Sequence, residues 1–171
     1  YRNDFAPMVP KFWYGLWEAS VNAVWDQGNR TYSFAGIDFA KRGDFLTMRL
    51  PSGRLIYYHR PAKMMNTNPW TGQEQPGWSF MSYQGKKFRR LPAWHGMITA
   101  DCIQGSSRDL IIHAVKQCEA NNLPVVFSVH DEVVCEVEDR PDLALTLKQI
   151  MEDIPTWAHE RQFKVAAETD T

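Results

Sequence analysis

The stretch Pro124-Val125-Val126-Phe127-Ser128-Val129-His130-Asp131-Glu132-Val133-Val134-Cys135-Glu136-Val137 places two apolar, β-branched runs on either side of a polar centre. That pattern predicts two short strands joined by a tight turn at His130-Asp131-Glu132. Asp131 and Glu132 are neighbours, and adjacent carboxylates repel one another and lose stability if desolvated without a cation. A divalent metal removes that penalty and turns the pair into a site. The competing reading is a plain polar hairpin tip, because Asp is a common turn residue and most such turns do no chemistry. The hairpin alone leaves both readings open.

On its C-terminal side, Asp139-Arg140-Pro141 predicts a helix start, with Asp139 as N-cap and Pro141 in the first turn. Leu143, Leu147, Ile150, Met151 and Ile154 line its apolar face, and Pro155 ends it. Phe163-Lys164-Val165-Ala166-Ala167-Glu168 reads as a final strand that adds to the hairpin. On the N-terminal side, a helix is predicted from about Met97 to Asn121, with Ile103, Leu110, Ile111, Ala114, Val115 and Cys118 as one apolar stripe. Gly105, Ser106 and Ser107 interrupt it with small residues that cost helix stability, a hint of close backbone approach. Gln104 lies on a more polar side, where a long neutral amide is either a surface residue or a reader of a nucleic-acid groove.

Earlier in the chain, Met8, Phe12, Trp13, Leu16, Trp17, Val21 and Val24 recur at helical spacing, and Gln27-Gly28 supplies a stop. Asp44–Leu50 and Arg54–Tyr58 flank Pro51-Ser52-Gly53, a strong hairpin signal. Residues 61–77 have no period and many breakers, and read as a long surface loop. A second hairpin is expected from Trp78–Tyr83 through Gln84-Gly85 into Lys86–Leu91. The basic residues around Phe88 and Trp94 suit a phosphate backbone with stacked bases, and equally an edge strand guarded by Lys and Arg.

With 171 residues, 44% hydrophobic and 13% aromatic, the chain can bury a core and is not disordered in composition. No apolar run approaches a membrane span, and no secretory signal pattern is present. Cys102, Cys118 and Cys135 are odd in number and widely spaced, which fits reduced thiols and a cytoplasmic location better than a zinc set or disulfides. The net charge of −1 hides a division: residues 41–90 carry ten basic side chains against Asp44 and Glu74, whereas residues 119–171 carry four basic against twelve acidic. One half suits a polyanion and the other suits cations. Because the chain begins at Tyr1 and not at methionine, a processed, split or truncated chain is expected.

The order of a helix bearing Gln104-Gly105 and Asp109-Leu110, then a hairpin bearing Val129-His130-Asp131-Glu132-Val133, resembles the C-terminal palm of family A DNA polymerases, in their bacteriophage branch. The Phe12-Trp13 helix, Leu50-Pro51-Ser52-Gly53-Arg54 with Tyr57-Tyr58, Gly96–Gln104 and Pro155-Thr156-Trp157-Ala158 extend the resemblance over nearly the whole chain. It implies an α+β architecture: a small antiparallel palm sheet carrying the hairpin as motif C, with helices packed on one face. It also implies a single C-terminal segment, 1–171, with residues 1–43 as the helical base of the fingers, 44–96 as hairpins and loop, and 97–171 as palm.

By that resemblance Asp131 and Glu132 are catalytic and bind two magnesium ions. His130, Gln104, Asp101 and Arg54 touch primer or DNA. The reaction is addition of a deoxynucleotide to a primer 3′-hydroxyl, with primer-template DNA and dNTP as partners and the host cytoplasm as location. Magnesium favours hard oxygen ligands, which the acidic pair supplies. Ala100-Asp101 departs from the family, which has Asn or Glu-Asn there. The family's motif A carboxylate and its motif B helix are not found in residues 1–171, nor are proofreading exonuclease motifs. The chain is therefore expected to be inactive without an upstream segment that carries motifs A and B. A non-catalytic DNA-binding or replisome module of palm shape, and a small metal-dependent phosphohydrolase, are the alternatives.

Overall fold

From Met8 onward the apolar residues recur every three or four positions. In the computed structural model, which describes residues 5–67, 72–160 and 163–169, they form helix α1 (Met8–Trp25). Leu16, Ala19, Val21, Ala23 and Val24 are buried on it. The helix stops at Asp26, whose backbone is extended. Residues 1–43 were expected to be helical, but β1 (Thr31–Phe34) and β2 (Ile37–Arg42) follow instead. Their short alternation is held by partner strands rather than by propensity. They join through Ala35 and Gly36, both at positive φ, so an alanine occupies a place that hairpin turns usually give to Asn or Gly.

β3 (Phe45–Arg49) and β4 (Leu55–Thr67) form the hairpin expected around Pro51-Ser52-Gly53, closed by Gly53 N–H donating to the Leu50 carbonyl at 2.9 Å. β5 (Glu74–Gln84) and β6 (Lys87–Pro92) form the next. The six strands lie in sequence order in one antiparallel sheet. The loop expected over 61–77 is instead mostly strand, with Thr67 paired to Glu74, and part of it (68–71) lies outside the described residues. Pro61 is accommodated because the register shifts between His59 and Ala62, so its missing N–H breaks no ladder bond. Arg60 takes φ 48° there, and Arg90 donates to its carbonyl at 2.9 Å.

α1 covers one face of this sheet. Phe39, Leu46, Met48, Tyr58 and Trp78 are buried with Leu16, Ala23 and Val24 in a single apolar cluster. Trp78 is fully buried, and its indole N–H donates to Ser20 Oγ at 3.0 Å, while Ser20 donates to the Trp17 carbonyl at 2.7 Å. Trp25 donates to the Gly77 carbonyl at 2.7 Å. The start of helix α2 (His95–Ala120) joins this core through Ile98 and Cys102. Its Asp101 carboxylate accepts a hydrogen bond from Tyr58 Oη at 2.8 Å.

The chain divides into two compact units, Tyr1–Ile103 and Gln104–Thr171. The second holds the rest of α2, the hairpin β7 (Val125–Val129) and β8 (Glu132–Cys135), α3 (Pro141–Glu152) and the short α4 (Thr156–His159). Its core is Cys118, Leu123 and Ile150, with Val125, Val133, Cys135, Leu143 and Leu147 against them. The architecture is α+β, as expected, but the hairpin forms a two-stranded sheet of its own. The final strand expected at 163–168 is not formed. Ala167 N–H donates to Glu152 Oε1 at 3.3 Å, so this segment bonds to a helix side chain and completes no ladder.

Two outcomes follow for the larger unit. Ser20→Ala leaves the buried Trp78 N–H without an acceptor and should cost about 1–3 kcal/mol, read as a lower urea midpoint. A loss near zero would mean that the indole does not depend on Ser20. Burial raises the Asp101 carboxyl above its ordinary 3.8, and the Tyr58 hydrogen bond offsets this only in part. A raised carboxyl favours the folded state when protonated. Its contribution is therefore full below about 3.8 and is lost as pH rises through the raised folded value. Asp101→Asn keeps an acceptor for Tyr58 and should flatten that decline in urea midpoints measured from about pH 3 to pH 7.

Candidate active site

The hairpin is fastened at its open end. α2 ends with Asn122 in the left-handed region at φ 57°, and Leu123 N–H donates back to the Cys118 carbonyl at 2.9 Å. Val125 N–H donates to Glu119 Oε1 at 2.9 Å, and Glu136 N–H to the Pro124 carbonyl at 3.1 Å. Burial, and then the nearby Cys135 thiol, push Cys118 up to about 12, so the two cysteines act as core hydrophobes and not as nucleophiles. Val125, Val133 and Cys135 face that core. Val126, Phe127 and Val129 are 51%, 54% and 44% exposed, leaving apolar hairpin surface uncovered among the described residues.

The far end is a two-residue turn, His130-Asp131, between the paired residues Val129 and Glu132. Two other hairpins turn the same way: Gly43-Asp44 between Arg42 and Phe45, and Gly85-Lys86 between Gln84 and Lys87. In all three the first loop residue has positive φ, 56° at Gly43, 60° at Gly85 and 54° at His130, while the second does not. Glycine meets that requirement without steric cost, and two of the turns use it. The third carries an imidazole at the same conformational cost that glycine would remove. A non-glycine residue in that region, as at Ala35 and Arg60, carries a backbone cost, and at His130 it lies directly before two exposed acids. Sequence reading found the residue but not its strain; the signal was a two-residue turn without glycine.

Asp131 and Glu132 are exposed, and among the described residues neither is held in an ion pair. Their oxygens are free to meet a cation or substrate. As hard donors they fit magnesium in kind. They do not fit it in number: among the described residues no three acidic, His or Cys side chains converge as a metal group. The structure thus brings together His130, Asp131 and Glu132 at one turn, while Arg54 and Asp101 belong to the other compact unit. Gln104 is exposed on α2, with no hydrogen bond to the hairpin among the described residues. Arg54 is exposed at the β3–β4 turn, its carbonyl accepting from Leu50 N–H at 2.8 Å. Asp101 is only partly exposed and is engaged by Tyr58.

No protein-family model matches the chain, and no solved structure matches it. It is similar to a protein of Bacillus phage SP02 named DNA polymerase, 26% identical over 154 residues, which make up 88% of this chain and 22% of that protein. The chain thus spans about a fifth of the length of the curated relative it matches. Among the described residues no helix is long and apolar enough to cross a membrane.

His130→Gly should relieve the turn and raise stability by about 0.5–1 kcal/mol, seen as a higher urea midpoint with unchanged slope. A midpoint that falls would show that the imidazole stabilises the hairpin and is not a strained functional group.

Proposed function

We propose that this chain carries the hairpin part of a DNA polymerase active site, of the family A type, acting in template-directed addition of deoxynucleotides to a primer 3′-hydroxyl. The observation that carries this reading is the pair of exposed carboxylates, Asp131 and Glu132, held at a turn that keeps His130 in a glycine-favouring conformation. The similarity to the phage DNA polymerase supports it. Asp131 and Glu132 would hold divalent magnesium, which when bound lowers the pKa of the attacking hydroxyl and offsets charge on the leaving oxygens. Because two carboxylates are too few for that task, the remaining ligand and the nucleotide-gripping helix come from a companion segment. The uncovered Val126, Phe127 and Val129 offer apolar surface for such a segment.

In this reading His130, exposed at the tip, would contact the primer end, and Gln104, exposed on its helix, would contact the duplex. Arg54 supplies a cation for phosphate. Asp101 suits a positioning role better than a DNA contact: it already accepts from Tyr58, and a carboxylate repels phosphate. The work would take place on primer-template DNA and dNTP in the host cytoplasm. A phosphohydrolase needs a third ligand at the tip, and among the described residues none converges there. A non-catalytic DNA-binding module remains the rival that experiment separates.

The decisive assay is primer extension with magnesium and all four nucleotides. The chain alone should give none, and extension should appear when the companion polymerase segment is added. Asp131→Ala should then lower turnover about a thousandfold or more. Extension by the chain alone, or full activity of Asp131→Ala in the mixture, would overturn the proposal.

A further inference from the structure

One face of the six-stranded sheet is packed against α1, and the opposite face carries a row of rings. Strand register sets the row: Phe45 pairs with His59, His59 with Met81, and Tyr83 with Phe88, so these side chains share the face away from the core. Tyr57, two residues before His59, lies on it too. Centroid distances run Tyr57–Phe45 5.7 Å, Phe45–His59 5.2 Å, His59–Phe88 6.1 Å and Phe88–Tyr83 5.0 Å. Tyr83 is 69% exposed, Tyr57 58% and Phe88 46%. Five adjoining rings so open to water are more than a sheet face needs for its own stability.

The charge around the row selects its occupant. Arg42 stands beside Phe45 in register, and Arg90 shares the ring face through its pairing with Met81. Lys86 lies in the turn that joins the strands of Tyr83 and Phe88, whereas Lys87 and Arg89 alternate with Phe88 and point to the other side of the edge strand. On the acidic side, Asp38 is taken up by Arg49 and Ser33, leaving Asp44 at the turn next to Phe45. Edge protection accounts for cations on β6 but not for rings on the face. A second copy of the chain laid face to face would set like charges against each other. Flat, sequence-tolerant stacking surfaces rimmed by cations match the bases and phosphates of a single strand, whose bases are free to leave one another and lie on the rings. A paired duplex presents no such faces.

We infer that the uncovered face of this sheet, through Tyr57, Phe45, His59, Phe88 and Tyr83, binds single-stranded nucleic acid by base stacking. This goes beyond the hairpin's role and does not depend on it, because it lies in the other compact unit and needs neither metal nor turnover.

The test is fluorescence anisotropy of a labelled oligothymidylate of about ten nucleotides titrated with the full chain. Binding should weaken with salt, and an unlabelled duplex of equal length should compete poorly. Tyr57→Ala and Tyr83→Ala should each weaken binding about tenfold, whereas Tyr57→Phe keeps the stacking face and should bind like the parent. Unchanged thermal melts would tie those losses to the surface. No binding, equal binding of duplex, or alanine variants that bind like the parent would overturn the inference. So would a Tyr57→Ala change confined to sedimentation, from dimer to monomer. Loss of oligonucleotide binding with primer extension intact would remove this inference alone, and the converse would remove only the polymerase reading.

Discussion

A six-stranded antiparallel sheet has two faces, and within this compact unit α1 and the start of α2 pack against one of them. α1 lies on a single face, and the fit is set by the fully buried Trp78, whose indole reaches across to Ser20 on the helix. A buried N–H without an acceptor is costly, so this bond fixes where the helix sits as well as that it sits there. Tyr58 repeats the device against Asp101 at the start of α2. With both helices committed to one side, Phe45, Tyr57, Tyr83 and Phe88 are left facing water on the other.

The two compact units divide the chemistry as they divide the charge. The sheet unit contains the stretch with ten basic side chains against two acidic, and the hairpin unit the stretch with four against twelve. A polymer of phosphates is attracted by the first and repelled by the second unless cations intervene. Asp131 and Glu132, unpaired among the described residues, are where such cations are most needed. Such opposite charge balances on one chain are what the proposed polymerase reading asks for, a polyanion held beside cation-binding carboxylates.

Elements whose local chemistry agrees with their surroundings were legible in the residues. The helical period of α1 and α2, the Pro-Gly turn at 51–53 and the β-branched runs around 130 all form as read. What escaped was decided by neighbours. β1 and β2 are short and turn on Ala35, which carries no hairpin signal, and the outer parts of β4 and β5 contain Pro61, Asn66 and Pro76, which argue against strand until partners hold them. The acidic tip was legible as a pair of residue types, but the strain at His130 belongs to the backbone and not to the alphabet. The aromatic row gathers residues from four strands across 45–88, and only the register brings them together.

The irregularity at Arg60-Pro61 works like a shift of reading frame within the pleat. Before it, odd-numbered residues such as Tyr57 and His59 point away from the helix; after it, Ala62 pairs with Ser79 on that same side, and Lys63 turns inward to sit 5.4 Å over the Trp25 ring. Many side chains along β4 are open to exchange, yet removal of one codon at this spot would swap inside for outside over half the strand. Divergence in this segment is therefore constrained in length far more tightly than in composition.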